Sequence, residues 1–106
     1  VMEYVNIFRH IVICKLKEEL TGELLTFVKQ NARKALESLV GQIPGLLSAT
    51  VQIEGLASSN GDMMLDTAFA DEAALLQYQK HPLHQAAADT YVRPYTHARM
   101  CMDFVE

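Results

Sequence analysis

The sequence predicts an α+β fold with one four-stranded antiparallel sheet and helices on a single face of that sheet. Three observations predict it: alternating or β-branched segments near both ends and in the middle, a long apolar stripe at helical spacing, and a second helical stretch divided by a proline. The order is strand, helix, strand, strand, helix, strand, which is the ferredoxin-like βαββαβ arrangement. A chain of 106 residues fits a single domain, residues 1–106.

Composition and charge disfavour several functional classes. The chain is 50% hydrophobic and 21% charged, which is typical of a globular protein. Its net charge of −4 and its scattered basic residues argue against nucleic-acid binding. No apolar run approaches the roughly 18 residues of a membrane helix, and the first residues lack signal-peptide features. We expect a cytoplasmic protein with no nucleic-acid or membrane partner.

The first predicted strand, residues 5–16, is apolar on both faces. Helices in this arrangement cover only one face of the sheet, so a large apolar face would stay exposed on a monomer. We therefore expect a homodimer through the sheet face, the alternative being a monomer with a hydrophobic central strand. One face of the strand carries Val5, Ile7, Ile11 and Ile13, and the other carries Phe8, His10, Val12, Cys14 and Leu16.

A long helix follows, with Thr21 as its expected N-cap and Gly41 as its end. Nine apolar residues spaced by three and four predict its buried stripe. These are Leu24, Leu25, Phe27, Val28, Ala32, Ala35, Leu36, Leu39 and Val40.

Two further strands, residues 46–56 and 63–70, form a predicted hairpin around Asn60-Gly61. The last strand spans residues 97–105, with His97, Arg99, Cys101 and Asp103 on one face. We expect strands 1 and 3 to be central, to run parallel to each other and to be joined by right-handed crossovers. Cys14 and Cys101 have no metal-ligand spacing, so we expect two reduced thiols, with a disulfide as the alternative.

The second helical stretch carries the side chains that could take part in a chemical reaction. Asp71 is expected to cap a short helix from Glu72 to about Lys80, and Pro82 to begin another that ends near Tyr95. This places His84 near the third position of the new helix, where the positive helix end favours a neutral imidazole that can act as a base. A capping or structural histidine is the alternative reading.

Other candidates have plainer alternatives. Tyr78 is either a hydrogen-bond donor to a substrate oxygen or a buried tyrosine with a structural partner. We expect His10, His81, Met63 and Tyr91 to bind a ligand. The alternatives are that His10 is a core histidine with a hydrogen-bond partner, that His81 stabilises the turn and that Met63 belongs to the core. His81 and His84 alone are too few for a metal site, so none is predicted.

Four segments carry a family resemblance. They are Arg9 to Lys17, Ile43-Pro44-Gly45-Leu46, the Y-x-x-H-P-x-H stretch from Tyr78 to His84, and Arg93-Pro94 with Met102-Asp103-Phe104. In this order they resemble the stress-responsive A/B barrel domain, or Dabb, family. The resemblance implies a dimeric α+β barrel, in agreement with the dimer expected from the first strand. We expect no cofactor.

The resemblance also implies a range of functions. Many members resemble stress-induced proteins with no assigned reaction, so we expect first a dimeric protein that binds a small, largely apolar molecule. A plant subset is similar to cofactor-independent polyketide cyclases, whose catalytic tyrosine and histidine correspond to Tyr78 and His84 and whose first-strand pocket histidine corresponds to His10. The chain departs from these cyclases at Met63, where they carry a histidine. A cyclase or isomerase is therefore the alternative, and a monooxygenase of the dimeric α+β barrel type is the second alternative.

Overall fold

The structure, a computed structural model, describes residues 6–106, so Val5 of the predicted first strand lies outside the described residues. Seven main elements and one short 3-10 turn follow the predicted order. They are β1 (Phe8–Leu16), α1 (Gly22–Glu37), β2 (Leu46–Gln52), β3 (Met63–Phe69), α2 (Glu72–Lys80), α3 (Pro82–Tyr91), the 3-10 turn Arg93–Tyr95 and β4 (Thr96–Val105).

The four strands form one sheet in the order β2-β3-β1-β4, and each neighbouring pair is antiparallel. The central position of β1 and β3 is as predicted, but the prediction that they are parallel is wrong. The hairpin, whose loop covers residues 53–62, makes β3 antiparallel to β2, and β3 then lies between β1 and β2. The strands that share a direction, β1 with β2 and β3 with β4, are therefore each separated by one strand. This is the ferredoxin-like α+β arrangement.

Helix α1 buries a narrower line of side chains than its sequence predicts. Its buried residues recur at every fourth position, at Val28, Ala32 and Leu36, whereas Leu24 and Phe27 are exposed. The helix ends at Glu37, earlier than expected, and a run of turns leads to Gly41, whose φ of +88° favours glycine. The predicted apolar stripe is thus wider than the surface that one sheet offers to this helix.

The break between α2 and α3 forms as the sequence predicts. The Asp71 carboxylate accepts the Ala74 N–H at 2.7 Å and caps α2. Pro82 begins α3, and His81 before it is extended, with φ −65° and ψ 134°. The last helix ends at Tyr91 rather than Tyr95, because the chain tightens into the 3-10 turn that contains Pro94.

The core lies between the helices and one face of the sheet. On β1 the helix-facing residues His10, Val12, Cys14 and Leu16 are buried. On the opposite face of β1 and β4, hydrophobic side chains are exposed at Ile13, Met100, Met102 and Phe104. None of the helices within residues 6–106 is long and apolar enough to cross a membrane.

The loop before β2 allows this packing. Gly45 has a φ of +83°, and a Cβ there would lie 2.4 Å from the Cβ of Ala74. Only glycine therefore fits where the Ile43-Pro44-Gly45 loop passes the first turn of α2.

Candidate functional site

A cavity of about 760 Å³ lies between the sheet and the helices, next to β4. Its inner part is mostly apolar, and its outer part carries polar and charged side chains. The lining residues are His10, Val12, Cys14, Leu36, Val51, Met63, Leu65, Gln79, Lys80, His84, Gln85, Ala88, Val92, Arg93, Thr96, Arg99, Cys101 and Asp103.

His84 lines this cavity from the first turn of α3. Its Nδ1 lies 3.4 Å from the carbonyl oxygen of Gln79, which also accepts a hydrogen bond from the Gln85 amide. Burial lowers the pKa of His84, and the charges of Arg93 and Arg99 contribute in the same direction. The ring is therefore neutral near pH 7. With Nδ1–H donating to the Gln79 carbonyl, Nε2 carries the free lone pair.

Tyr78 lies behind the cavity wall and is not among the lining residues. Its ring centroid is 4.2 Å from that of His84, 5.1 Å from that of Phe69 and 6.2 Å from that of His10. The side chain is fully buried, and its hydroxyl has no hydrogen-bond partner among residues 6–106. Burial raises the pKa of Tyr78, so the phenol stays protonated and available as a donor.

His10 lines the opposite side of the cavity, on the central strand β1. The imidazole is buried, and its Nδ1 lies 2.5 Å from Oδ1 of Asp103 on β4. The Sγ atom of Cys101 lies 3.5 Å from the same nitrogen. The backbone carbonyl of His10 accepts the Thr67 hydroxyl at 2.7 Å, which fixes the strand at this position. The histidine therefore has a carboxylate partner that orients its ring.

The remaining predicted site residues divide between the cavity and its surroundings. Met63 is buried and lines the cavity. His81 does not line it: its Nδ1 accepts the Leu83 N–H at 3.1 Å and caps α3. Tyr91 is exposed at the end of α3 and also lies outside the lining. The cavity therefore brings together His10, Met63 and His84, with Tyr78 packed behind them, and leaves out His81 and Tyr91.

The polar residues of β4 are the main part of the site that the sequence did not identify. The alternation of residues predicted that Arg99, Cys101 and Asp103 share one strand face, and the sequence indicated a surface or interface there. In the structure all three line the cavity. Its role depends on the antiparallel register between β1 and β4, which sets Asp103 directly opposite His10. Alternation alone does not reveal which strand lies next to β4.

Solved structures of other proteins share this fold. A dimeric protein of unknown function from Bacteroides fragilis is 23% identical, with a TM-score of 0.85, covering 92% of this chain and 94% of that one. A dimeric ferredoxin-like protein from Thermobifida fusca is 25% identical, with a TM-score of 0.79, covering 95% and 92%. A hydroxynitrile lyase from Passiflora edulis is 14% identical, with a TM-score of 0.73, covering 97% and 95%.

Sequence comparison gives the family. No curated protein matches the chain. The family model of the Stress responsive A/B Barrel Domain, Dabb, matches residues 8–106, which is nearly the whole chain. The Y-x-x-H-P-x-H stretch and the closing strand both fall within the match. The chain therefore belongs to the stress responsive A/B barrel domain family.

Proposed function

We propose that this protein is a homodimer that binds a small, largely apolar molecule in the cavity between its sheet and its helices. The cavity carries the proposal. Its volume of about 760 Å³ falls within the range of roughly 300–1,000 Å³ that is typical of small-molecule sites. An unfilled cavity lowers the stability of a fold, so a domain whose only requirement was a stable core would be expected to fill this space with side chains.

The lining matches a ligand with an apolar body and a polar end. Val12, Leu36, Val51 and Leu65 offer aliphatic surface in the inner part of the cavity. The polar side chains cluster towards β4 and α3, so a ligand oxygen would meet them when the apolar part is buried. In most ligand sites apolar contacts supply the affinity and a few polar groups fix the orientation of the ligand.

The bare sheet face supports the dimer. Met100 and Met102 are 76% and 67% exposed, and Ile13 and Phe104 continue the same apolar surface. The basic side chains of β1 on this face have acidic partners within the chain, because Arg9 contacts Asp66 and Glu106, and Lys15 contacts Asp62. Covering the apolar part would therefore not leave these two basic groups without a partner. The similar proteins from Bacteroides fragilis and Thermobifida fusca are described as dimeric.

A cavity-filling variant tests ligand binding. Ala88 is buried, lies on α3 and lines the cavity, whereas Ala86 lies on the same helix and is exposed. We expect Ala88→Phe to weaken binding of the neutral apolar dye N-phenyl-1-naphthylamine by at least about tenfold, because the phenyl ring occupies the space that the ligand needs. Ala86→Phe is the matched control and should bind like the wild type. Equal dye binding by both folded variants would place the dye elsewhere and contradict the proposal.

A second candidate, proton transfer without a cofactor, is favoured by His84. A neutral imidazole that lines a ligand cavity can remove a proton from the carbon next to a carbonyl group. The Nε2 lone pair would accept this proton and return it to another atom. Isomerases and aldol cyclisations both use this pair of proton transfers. The Gln79 carbonyl holds the Nδ1–H and would stabilise the imidazolium while it exists.

Tyr78 would assist as a hydrogen-bond donor. Its buried hydroxyl lacks a partner among residues 6–106, which costs about 1–3 kcal/mol in a folded protein. An enolate oxygen that reached this hydroxyl would remove that cost while it gained a hydrogen bond. The His84 ring packs against Tyr78, so the proposed base and the proposed donor are neighbours.

Deuterium exchange tests the proton transfer. We expect the protein to accelerate exchange at the carbons beside the carbonyl of 2-nonanone in D2O, as followed by NMR, and His84→Gln to return the rate to that of buffer. Tyr78→Phe should lower the rate by about 10²-fold or more if the hydroxyl stabilises the enolate. If the wild-type protein binds the ketone but exchange proceeds at the rate of buffer, the proton-transfer hypothesis is wrong and only the binding function remains.

The cellular role and location complete the proposal. Membership of the family supports a role in stress response. A cytoplasmic location is supported by two free thiols, at Cys14 and Cys101, because reduced cysteines are usual there. A monooxygenase activity, the remaining hypothesis, has only the shared fold in its favour.

A further inference from the structure

Three side chains of different donor types meet where β4 borders the cavity. The donor atoms of His10, Cys101 and Asp103 lie within 4.8 Å of one another. The Sγ atom of Cys101 is 3.5 Å from Nδ1 of His10 and 3.5 Å from Oδ1 of Asp103, and these two atoms are 2.5 Å apart. The ligand binding and proton transfer proposed above assign no task to the Cys101 thiol.

The sheet itself brings these groups together. Asp103 is directly opposite His10 across the β1–β4 pair, and Cys101 is opposite Val12. Because side chains two apart on a strand share a face, Cys101 and Asp103 both point to the cavity side with His10. The backbone positions of all three are held by two adjacent, hydrogen-bonded strands, so the cluster does not depend on a loop.

We propose that His10, Cys101 and Asp103 form a binding site for a zinc ion. Imidazole nitrogen, thiolate sulfur and carboxylate oxygen are the three ligand types that zinc prefers. The inference goes beyond the proposed function, since zinc binding requires neither the small molecule nor the dimer.

The distances can be compared with a tetrahedral site. With a Zn–N bond of about 2.05 Å and a Zn–S bond of about 2.3 Å, a separation of 3.5 Å between Nδ1 and Sγ corresponds to an angle of about 107° at the metal, near the tetrahedral value. The sulfur-to-oxygen separation is the same and fits equally well. Only the nitrogen-to-oxygen separation must grow, from 2.5 Å to about 3.3 Å.

That single adjustment has a simple chemical meaning. The contact between Nδ1 of His10 and Oδ1 of Asp103 is a hydrogen bond, and zinc would replace the proton between these two atoms. The carboxylate and a deprotonated Cys101 would together balance the charge of the ion. Movement is easiest on the side of Asp103, which is 40% exposed, whereas His10 is fixed within the core.

The site is reachable and leaves a coordination position free. Cys101 and Asp103 are exposed on β4, so an ion can enter from solvent. Three protein ligands leave the fourth tetrahedral position for water or another ligand, and all three residues line the cavity. A ligand oxygen in the cavity would therefore have direct access to the ion.

Zinc titration of tag-free protein against a chromophoric chelator tests the proposal. We expect one zinc ion per chain, and Cys101→Ser and Asp103→Asn should each weaken binding by at least about tenfold, because even outer partners of metal ligands are worth about 10–100-fold. Cys14→Ser is the matched thiol control and should bind zinc like the wild type. Cobalt provides a second readout: a thiolate-to-cobalt charge-transfer band should be present in the wild type and in Cys14→Ser and absent in Cys101→Ser.

Several outcomes would overturn the assignment. One is a lack of saturable zinc binding, and another is a cobalt band that survives in Cys101→Ser. Equal weakening by Cys14→Ser and Cys101→Ser would place the ion elsewhere. Cys101 and Asp103 are exposed, so their variants are expected to keep the wild-type circular dichroism spectrum.

Discussion

Strands β3 and β4 are the two neighbours of β1, and they differ sharply in their environments. Both run antiparallel to β1 and are paired with it along its length. On β3 the residues Met63, Leu65, Thr67, Ala68 and Phe69 are buried, whereas every residue of β4 from His97 to Val105 is exposed in the single chain.

The helices explain this difference. Helix α1 packs on β2, and α2 packs on β1, β2 and β3, so the helical layer covers one side of the sheet up to β1. Beyond β1, the cavity-facing side chains of β4 have no helical layer packed closely over them. Covering a four-stranded sheet with a long helix and two short ones leaves this last strand open.

The two strands therefore serve different purposes. The cavity side of β3 is mostly apolar and adds to stability, whereas β4 presents Arg99, Cys101 and Asp103 to the cavity and Met100 and Met102 to the opposite face. A strand exposed on both faces can meet a ligand on one and a partner subunit on the other. Under the proposed function, β3 contributes mainly to the stability of the fold and β4 mainly to binding.

The largest expected effect is loss of stability from β3. Phe69 and Val105 flank the same residue of β1, Phe8, from opposite sides. Phe69 is fully buried and packs edge-on against Tyr78, so Phe69→Ala should lower the free energy of unfolding by about 3–5 kcal/mol in a urea titration. Val105→Ala on β4 should change it by no more than about 0.5 kcal/mol, because that side chain is 53% exposed. Similar losses of unfolding free energy in the two variants would contradict the view that β3 contributes more to stability than β4 does.

The next effect concerns the outer face of β4. In a symmetric dimer through this face, Met102→Glu would bring two new carboxylates into the apolar contact. We expect the dimer dissociation constant, measured by analytical ultracentrifugation, to rise by at least about 100-fold, or about 2.7 kcal/mol. Leu24→Glu is the control, because Leu24 is an exposed leucine on α1, away from the sheet. A wild-type protein that sediments as a monomer at micromolar concentration would contradict the dimer altogether.

Much of this architecture could be predicted from local sequence signals. Alternation located all four strands, Pro82 located the break between α2 and α3, and Asp71 was recognised as a cap. The central position of β1 and β3 was also predicted, but their relative direction was predicted wrongly, because the residues of a strand do not record the direction of the neighbour that it pairs with. The exposure of Leu24 and Phe27 has the same origin, since the width of the buried stripe depends on the sheet beneath the helix.

The site shows the same limit. His84 and Tyr78 were found together because they lie on consecutive turns separated by a proline, so their proximity is a local matter. His10 was singled out because it interrupts an apolar strand face. Its partner Asp103 is 93 positions away, and only the register of β1 against β4 brings the two together. Cys101 was assigned to a plain reduced thiol for the same reason.

The smallest expected effect is a pH dependence of stability at His84, which lies over the boundary between the covered and open parts of the sheet. Burial lowers the pKa of His84 in the folded protein, with Arg93, His10 and Arg99 acting in the same direction. The unfolded chain, with a histidine pKa of about 6.5, then binds more protons than the folded one in the window below that value. Stability from this group should therefore rise with pH up to about 6.5 and level off above it. We expect the melting temperature of His84→Gln to rise less steeply than that of the wild type between about pH 5 and 7. A wild-type slope in His84→Gln would contradict this expectation. It would show that water reaches His84 from the open side of the cavity, next to β4, so that burial does not lower the pKa of its imidazole.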